Sequence, residues 1–192
     1  IYIVWQGKDI NNSDKLYFIQ SSNYGDSFSS KKLISFGKAN DASPSMIIYK
    51  NVIYVVYQNN DERIWMIKLI RGFDSGERWS KPIHISNTNV NCYSPALIAN
   101  NNEIIVVWYD SRDKITQIYS NRYIVKTGKI KKDAKLSYRN YPARKPSMLQ
   151  LKNKTLLFWE EGGRIMAKYT DTYVEPPFVY SYTHPENKWS RL

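Results

Sequence analysis

The chain has 192 residues, 42% of them hydrophobic, which suits a folded domain with a substantial core and excludes a disordered polymer. Its formal net charge of +11 is uneven: residues 1–96 hold 11 basic and 8 acidic side chains, whereas residues 97–192 hold 17 and 9. No apolar run reaches the roughly 18 residues of a membrane helix, Ile1 to Gln6 lacks the marks of a signal peptide, and the lone Cys92 excludes an internal disulfide. No membrane insertion is expected.

Aromatic residues make up 15% of the chain, with sixteen Tyr and six Trp. Many lie in runs such as Ile53-Tyr54-Val55-Val56-Tyr57, which suit half-buried pleated surfaces and predict an all-β fold. In chain order the predicted strands are Ile1 to Gln6, Lys15 to Gln20 and Lys32 to Ser35. Next come Pro44 to Ile48, Val52 to Tyr57, Ile64 to Leu69 and Pro82 to Ser86. A third set is Pro95 to Ala99, Ile104 to Tyr109 and Gln117 to Tyr123. The last is Pro146 to Gln150, Thr155 to Trp159 and Arg164 to Tyr169.

Pro44, Pro95 and Pro146 recur at intervals of 51 residues, and each set has the same layout. Proline has no amide proton to give a ladder, which places it at the first residue of its strand. Four short strands in each unit of about 50 residues, with no helical periodicity, is the layout of a β-propeller blade. About four blades are visible, in units of roughly 1–39, 40–90, 91–141 and 142–192 of a single propeller region.

The turn after the third strand carries a motif. It reads Ser21-Ser22-Asn23-Tyr24-Gly25-Asp26-Ser27-Phe28 in the first unit and Gly72-Phe73-Asp74-Ser75-Gly76-Glu77-Arg78-Trp79 in the second. Asn23 and Asp74, Gly25 and Gly76, and Phe28 and Trp79 again lie 51 apart. An Asp or Asn there accepts bonds from turn amides, glycine supplies a positive φ, and the aromatic ring is expected to plug the blade interior. The third unit keeps only Gly128, and the last keeps only Trp189, after an insertion that contains Glu175-Pro176-Pro177.

These two segments resemble the Asp-box, S-x-D-x-G-x-T-W, of the sialidase-like β-propeller superfamily. The resemblance implies a scaffold role for Ser21, Asn23, Gly25, Phe28, Asp74, Gly76 and Trp79. It also implies six blades. Ile1 starts within a second strand and Leu192 stops where a fourth should begin, so the chain is expected to be a stretch truncated at both ends.

Because successive strands alternate direction, the Asp-box turns fall on one face and the charged loops on the other. Those loops hold Lys8 and Asp9; Asp61, Glu62 and Arg63; Asp110, Arg112 and Asp113; and Arg144, Glu160, Glu161 and Arg164. Sialidases grip a sugar carboxylate with three arginines, the first in an R-I-P motif, and pair a Tyr with a Glu. Arg144-Lys145-Pro146, followed by Thr155-Leu156-Leu157-Phe158-Trp159-Glu160, resembles that layout with Lys145 in place of Ile. The resemblance makes Arg144 and Glu160 the candidate catalytic residues, with Tyr141 a possible companion of Glu160. Ala42 and Tyr93 stand where Arg144 does in other units, which favours a plain variation on the repeat.

Trp108-Tyr109-Asp110-Ser111-Arg112 resembles a W-x-D-x-R segment of non-enzymatic members, with Asp110 and Arg112 bracing their loop in preference to binding a ligand. The candidate ligand-binding set is Asp110, Arg112, Arg144, Glu161 and Arg164. No metal or cofactor motif is present, and His84 and His184 read as packing or loop residues. Five lysines between Lys126 and Lys135 suit a solvated edge better than an anionic partner, and nucleic acid is not the expected partner.

The leading expectation is a non-catalytic module of an extracellular or cell-surface protein that binds a glycan or protein through the charged loops. The alternatives are an exo-acting glycosidase of sialidase type and a structural subunit of a surface assembly.

Overall fold

The structure, a computed structural model, describes residues 1–60, 63–151 and 154–169, together with the backbone of strands at 180–183 and 188–191. Asp61, Glu62, Glu175, Pro176, Pro177 and His184 lie outside the described residues, as does the side chain of Trp189. The chain is all-β and its strands form antiparallel sheets of propeller-blade type. The helical content of the described residues is one 3-10 turn, Asp74–Gly76.

Two units are distinguished, Ile1–Pro95 and Ala96–Leu192. In the first, β1 (Tyr2–Lys8), β2 (Asp14–Gln20) and β3 (Lys32–Leu33) form one sheet in that order. The second sheet runs β4 (Asp41–Tyr49), β5 (Val52–Asn59), β6 (Met66–Phe73) and β7 (Arg78–Trp79), with β8 (Ile83–His84) also paired to β6. The core between these sheets holds Leu16, Phe18, Ile34, Ile53, Val55, Tyr57 and Ile70, with Trp79 packed against it. Burying each of these side chains contributes about 1.5–3 kcal/mol.

The boundary between the units falls within β9 (Cys92–Asn100). The sheet that follows has the order β12 (Ala134–Lys135), β11 (Ile115–Ile124), β10 (Glu103–Asp113), β9. The last sheet runs in chain order through β13 (Ala143–Leu151), β14 (Lys154–Glu161), β15 (Arg164–Tyr169), β16 (Tyr180–Thr183) and β17 (Lys188–Arg191). Val107, Ile118, Ala143, Leu157, Trp159 and Met166 form the core of this unit.

The repeated prolines do not begin their strands, which corrects the expectation from sequence. β4, β9 and β13 start at Asp41, Cys92 and Ala143, so each proline is the fourth strand residue. It follows a residue in the left-handed region: Ser43 at φ 52°, Ser94 at 50° and Lys145 at 51°. The β4–β5 register shifts between Ala42 and Ser45, and the β13–β14 register between Arg144 and Ser147. The proline therefore marks a β-bulge, another place where a missing amide proton is tolerated. Side-chain carbonyls cap the two serine amides: Ser43 N–H donates to Gln6 Oε1 at 3.2 Å and Ser94 N–H to Gln58 Oε1 at 2.9 Å.

The fourth strands of the first two units are shorter than predicted, and the sequence reading missed both β12 in the third unit and β16 and β17 in the last, where it expected no fourth strand before Leu192. In the first three units the anchor is a buried serine spaced by 51. Leu16, Ile67 and Ile118 donate their amides to Ser35, Ser86 and Ser137 Oγ at 3.0, 2.9 and 2.8 Å. The preceding residues Ile34, Ile85 and Leu136 donate back to the carbonyls of the same three partners.

The first Asp-box has the expected turn chemistry. Ser27 N–H donates to Asn23 Oδ1 at 3.1 Å and Gly25 N–H to Ser21 Oγ at 2.9 Å, while the Ser21 hydroxyl donates to Asn23 Oδ1. Its aromatic does not plug a core, because Phe28 is 42% exposed. In the second box Asp74 takes the Arg78 guanidinium, and Trp79 meets the Phe18 ring edge-on at 5.3 Å.

Candidate functional site

In three sheets the central hairpin ends on a buried polar residue that has a side-chain partner. In the second sheet Asn59 donates to buried Asp41 Oδ1 at 2.7 Å. In the third, Trp108 Nε1–H donates to Asp110 Oδ2 at 2.8 Å. In the fourth, Trp159 Nε1–H donates to Glu161 Oε2 at 2.7 Å. Asn59, Asp110 and Glu161 are spaced by 51 residues, so one position of the repeat carries all three.

The Asp110 position is filled from within the chain. The Arg112 side chain reaches both Asp110 oxygens at 2.7–3.1 Å, and its amide donates to Oδ1. The same guanidinium pairs with Asp133 at 2.9 Å and lies 4.1 Å from the centre of the Tyr119 ring. Burial lowers the affinity of Arg112 for its proton, but the two carboxylates outweigh it and raise its pKa. Tyr119 donates to Asp113 at 2.7 Å, and Lys135 pairs with the same carboxylate at 2.7 Å. Burial first, and then Asp113, push the Tyr119 phenol up. Asp110 and Arg112 thus sit in a closed network of partners.

The hairpin of the fourth sheet is shorter. Asp110 faces Gln117 across the β10–β11 pair, whereas Glu161 faces Arg164 directly across a two-residue turn. Gly162 and Gly163 have φ of 59° and 76°, the signature of a type I′ turn. Glu161 is 3% exposed, and its Oε1 is buried with no hydrogen-bond partner among the described residues. Leaving such an acceptor unpaired costs about 1–3 kcal/mol.

Glu161 lines a cleft of about 150 Å³ with Arg139, Tyr141, Gly162 and Arg164. One wall is positioned by Gln117, which is fully buried and donates from Nε2 to the Arg139 and Tyr141 carbonyls at 3.1 and 3.2 Å. Tyr141 is 60% exposed and covers the turn closely: a Cβ on Gly162 would stand 3.3 Å from Tyr141 Cγ.

Of the sequence candidates, Glu161 and Arg164 come together in this cleft, while Asp110 and Arg112 occupy the braced network. Arg144 and Glu160 are Cα partners across β13 and β14, and the Glu160 carboxylate pairs with Lys145 at 3.0 Å. Neither Arg144 nor Glu160 is among the cleft-lining residues, and the carboxylate that shares the cleft with Tyr141 is Glu161. Arg139 was missed: the position 51 residues earlier is Thr88, so the repeat carries no signal for an arginine there. Among the described residues no cluster of His, Cys, Asp or Glu is arranged to hold a metal ion.

No family model and no curated protein matches this sequence. Solved structures do. The α-L-arabinofuranosidase of Fusarium graminearum, solved with an iminosugar inhibitor, matches at a TM-score of 0.73 and 11% identity over 99% of this chain. Trypanosoma rangeli sialidase, solved with a difluoro sugar acid, matches at 0.63 and 12% over 99%. A family 117 glycoside hydrolase of Zobellia galactanivorans matches at 0.56 and 10% over 86%. The chain spans 65% of the arabinofuranosidase, 34% of the sialidase and 53% of the Zobellia enzyme. The bladed sheets, their repeat and these matches together give the chain the fold of the sialidase-like β-propellers.

Proposed function

We propose that this chain is a glycan-binding propeller module, acting through the cleft of Arg139, Tyr141, Glu161, Gly162 and Arg164 without catalysing a reaction. The observation that carries the reading is the meeting of an exposed tyrosine, a glutamate and two arginines around one small cleft. A sugar presents an apolar face for the ring and hydroxyls that both donate and accept, so it meets all of these groups. The similarity to glycoside-active enzymes points the same way. The reading extends to an extracellular or cell-surface setting, and fractionation of expressing cells with an antibody to the chain tests that part.

The test of binding is a glycan array followed by titration, with Tyr141→Ala as control. Binding that falls at least tenfold in Tyr141→Ala supports the cleft, and binding that is unchanged refutes it. A second reading, glycoside hydrolysis, is favoured by the meeting of Tyr141 with a buried glutamate, the side-chain types that covalent glycoside chemistry uses. Turnover of fluorogenic glycosides that is lost in Tyr141→Phe would establish it in place of simple binding.

A further inference from the structure

The turn after the third strand occupies one place in three units, and its backbone is held the same way in each. Ser29, Ser80 and Lys131, spaced by 51, donate their amides to the carbonyls of Gln20, Arg71 and Arg122 at 2.8, 2.9 and 3.0 Å. The charge carried there differs. Residues 21–30 hold one acid and no base, residues 72–81 two of each, and residues 123–132 four lysines and no acid. Where the second unit has Asp74 and Glu77, the third has Val125 and Gly128. Lys131 and Arg122 both pair with Glu103, and Lys135 pairs with Asp113. Lys126, Lys129 and Lys132 are exposed and make no ion pair among the described residues. A solvated strand edge, which the sequence suggests for this run, accounts for Lys135 in β12. It does not account for Lys126 and Lys129, which stand in a turn closed by the Gly128 amide on the Ile124 carbonyl and the Ile124 amide on the Lys129 carbonyl.

We propose that this lysine turn is a docking surface for an acidic polysaccharide, separate from the cleft. Gln117, which holds the cleft wall, lies near the start of β11, and the turn follows the other end of the same strand. Charge complementarity carries the assignment. Three exposed cations within one short segment have no carboxylate of the chain to neutralise them, on a protein whose net charge is +11. Sulfate or carboxylate groups repeated along a polymer supply the counter-charges, with release of the small ions that both carry in solution. Single-stranded nucleic acid is held by aromatic rings on which its bases stack, and a lipid surface by apolar side chains that insert beside the cations. Among the described residues no exposed large hydrophobic side chain lies between 123 and 135, so the turn offers charge alone.

Surface plasmon resonance of the full chain tests this, with heparin as the sulfated probe, polygalacturonate as the carboxylated one, and duplex DNA and phosphatidylserine vesicles as competing anionic surfaces. The expected result is binding to one or both polysaccharides that weakens steeply with added salt. The two probes separate a sulfate from a carboxylate. Lys126→Gln, Lys129→Gln and Lys132→Gln combined should weaken that binding at least about tenfold. Removing the same charge by Lys38→Gln, Lys50→Gln and Lys81→Gln, at exposed positions of the first unit, should change it less than about threefold. Melting temperatures within a few degrees of the parent show that both variants fold. Tyr141→Ala should leave polysaccharide binding unchanged, which keeps this surface distinct from the cleft. Equal loss in the two triple variants, loss through Tyr141→Ala, tighter binding of DNA or vesicles than of either polysaccharide, or no salt-sensitive polysaccharide binding overturns the inference and leaves the reading of the cleft standing.

Discussion

Asn23 and Asp74 share a place in the repeat but hold it differently. Asn23 accepts the Ser27 amide and the Ser21 hydroxyl and so closes its turn, whereas Asp74 faces solvent and pairs with Arg78. Removing the acceptor in Asn23→Ala should cost about 1–2 kcal/mol of unfolding free energy, read by urea titration. Asp74→Asn keeps a residue that tolerates the left-handed region and loses an exposed ion pair, so its midpoint should match the parent's. Equal loss in both variants would contradict this division of roles. In the second box Gly76 bears the structural demand: its φ is 91°, and a Cβ would stand 2.4 Å from Phe18 in the core. Gly76→Ala should therefore cost about 2 kcal/mol or more, from strain and overpacking together. Phe28 is a different case. Sequence gives it the same slot as Trp79, yet only Trp79 has Phe18 of a neighbouring sheet to pack against.

At the scale of the strand, the proline spacing was legible because three prolines share a fixed interval, and it located the first strands, though each starts three residues before its proline. What it could not give was the bulge. That feature depends on the backbone of Ser43, Ser94 and Lys145 and on the side chains of Gln6 and Gln58, remote in sequence. The third unit's fourth strand was hidden for a related reason: β12 is two residues long and has no apolar run, and it is held by the amide of Ile118 on Ser137. The Ile34-Ser35, Ile85-Ser86 and Leu136-Ser137 pairs were the signal for it. Ser86→Ala should lose about 1–2 kcal/mol by orphaning the buried Ile67 amide, and hydrogen exchange at Ile67 should quicken. An unaltered exchange rate there would mean that the serine does not hold the strand. The cleft was half legible. Glu161 and Arg164 stand out as charges at a hairpin end, but Arg139 and Tyr141 join them through Gln117, a buried polar contact that no local pattern announces.

Across the whole molecule the carboxylates decide how stability responds to acid. Glu103 feels burial, which raises its pKa, but Lys131 and Arg122 outweigh that and hold it below the ordinary range. Asp14 is depressed by Lys8, and Asp113 by Lys135 and Tyr119. A carboxylate depressed on folding contributes stability above its unfolded pKa and loses that contribution as pH falls through the lower, folded value. Asp41 is the opposite: burial raises it, so its contribution is present at low pH and lost as pH rises through the folded value. Asp74 is depressed as well, by Arg78, so among the described residues four depressed groups stand against one raised group, and on a chain that already carries +11 and gains positive charge as carboxylates protonate this makes acid destabilising. The melting temperature should fall from pH 6 to pH 3. Glu103→Gln should flatten that fall, since the amide has no proton to take up, and should lower the melting temperature at pH 6, where the parent holds both cations. Added salt should weaken the acid effect through the charge repulsion, because the Debye length is only about 3 Å at 1 M. It should leave the difference between parent and Glu103→Gln largely in place, because Glu103 is mostly buried between its partners. A Glu103→Gln curve parallel to the parent's from pH 6 to pH 3 would show that the acid limb is set by net charge alone.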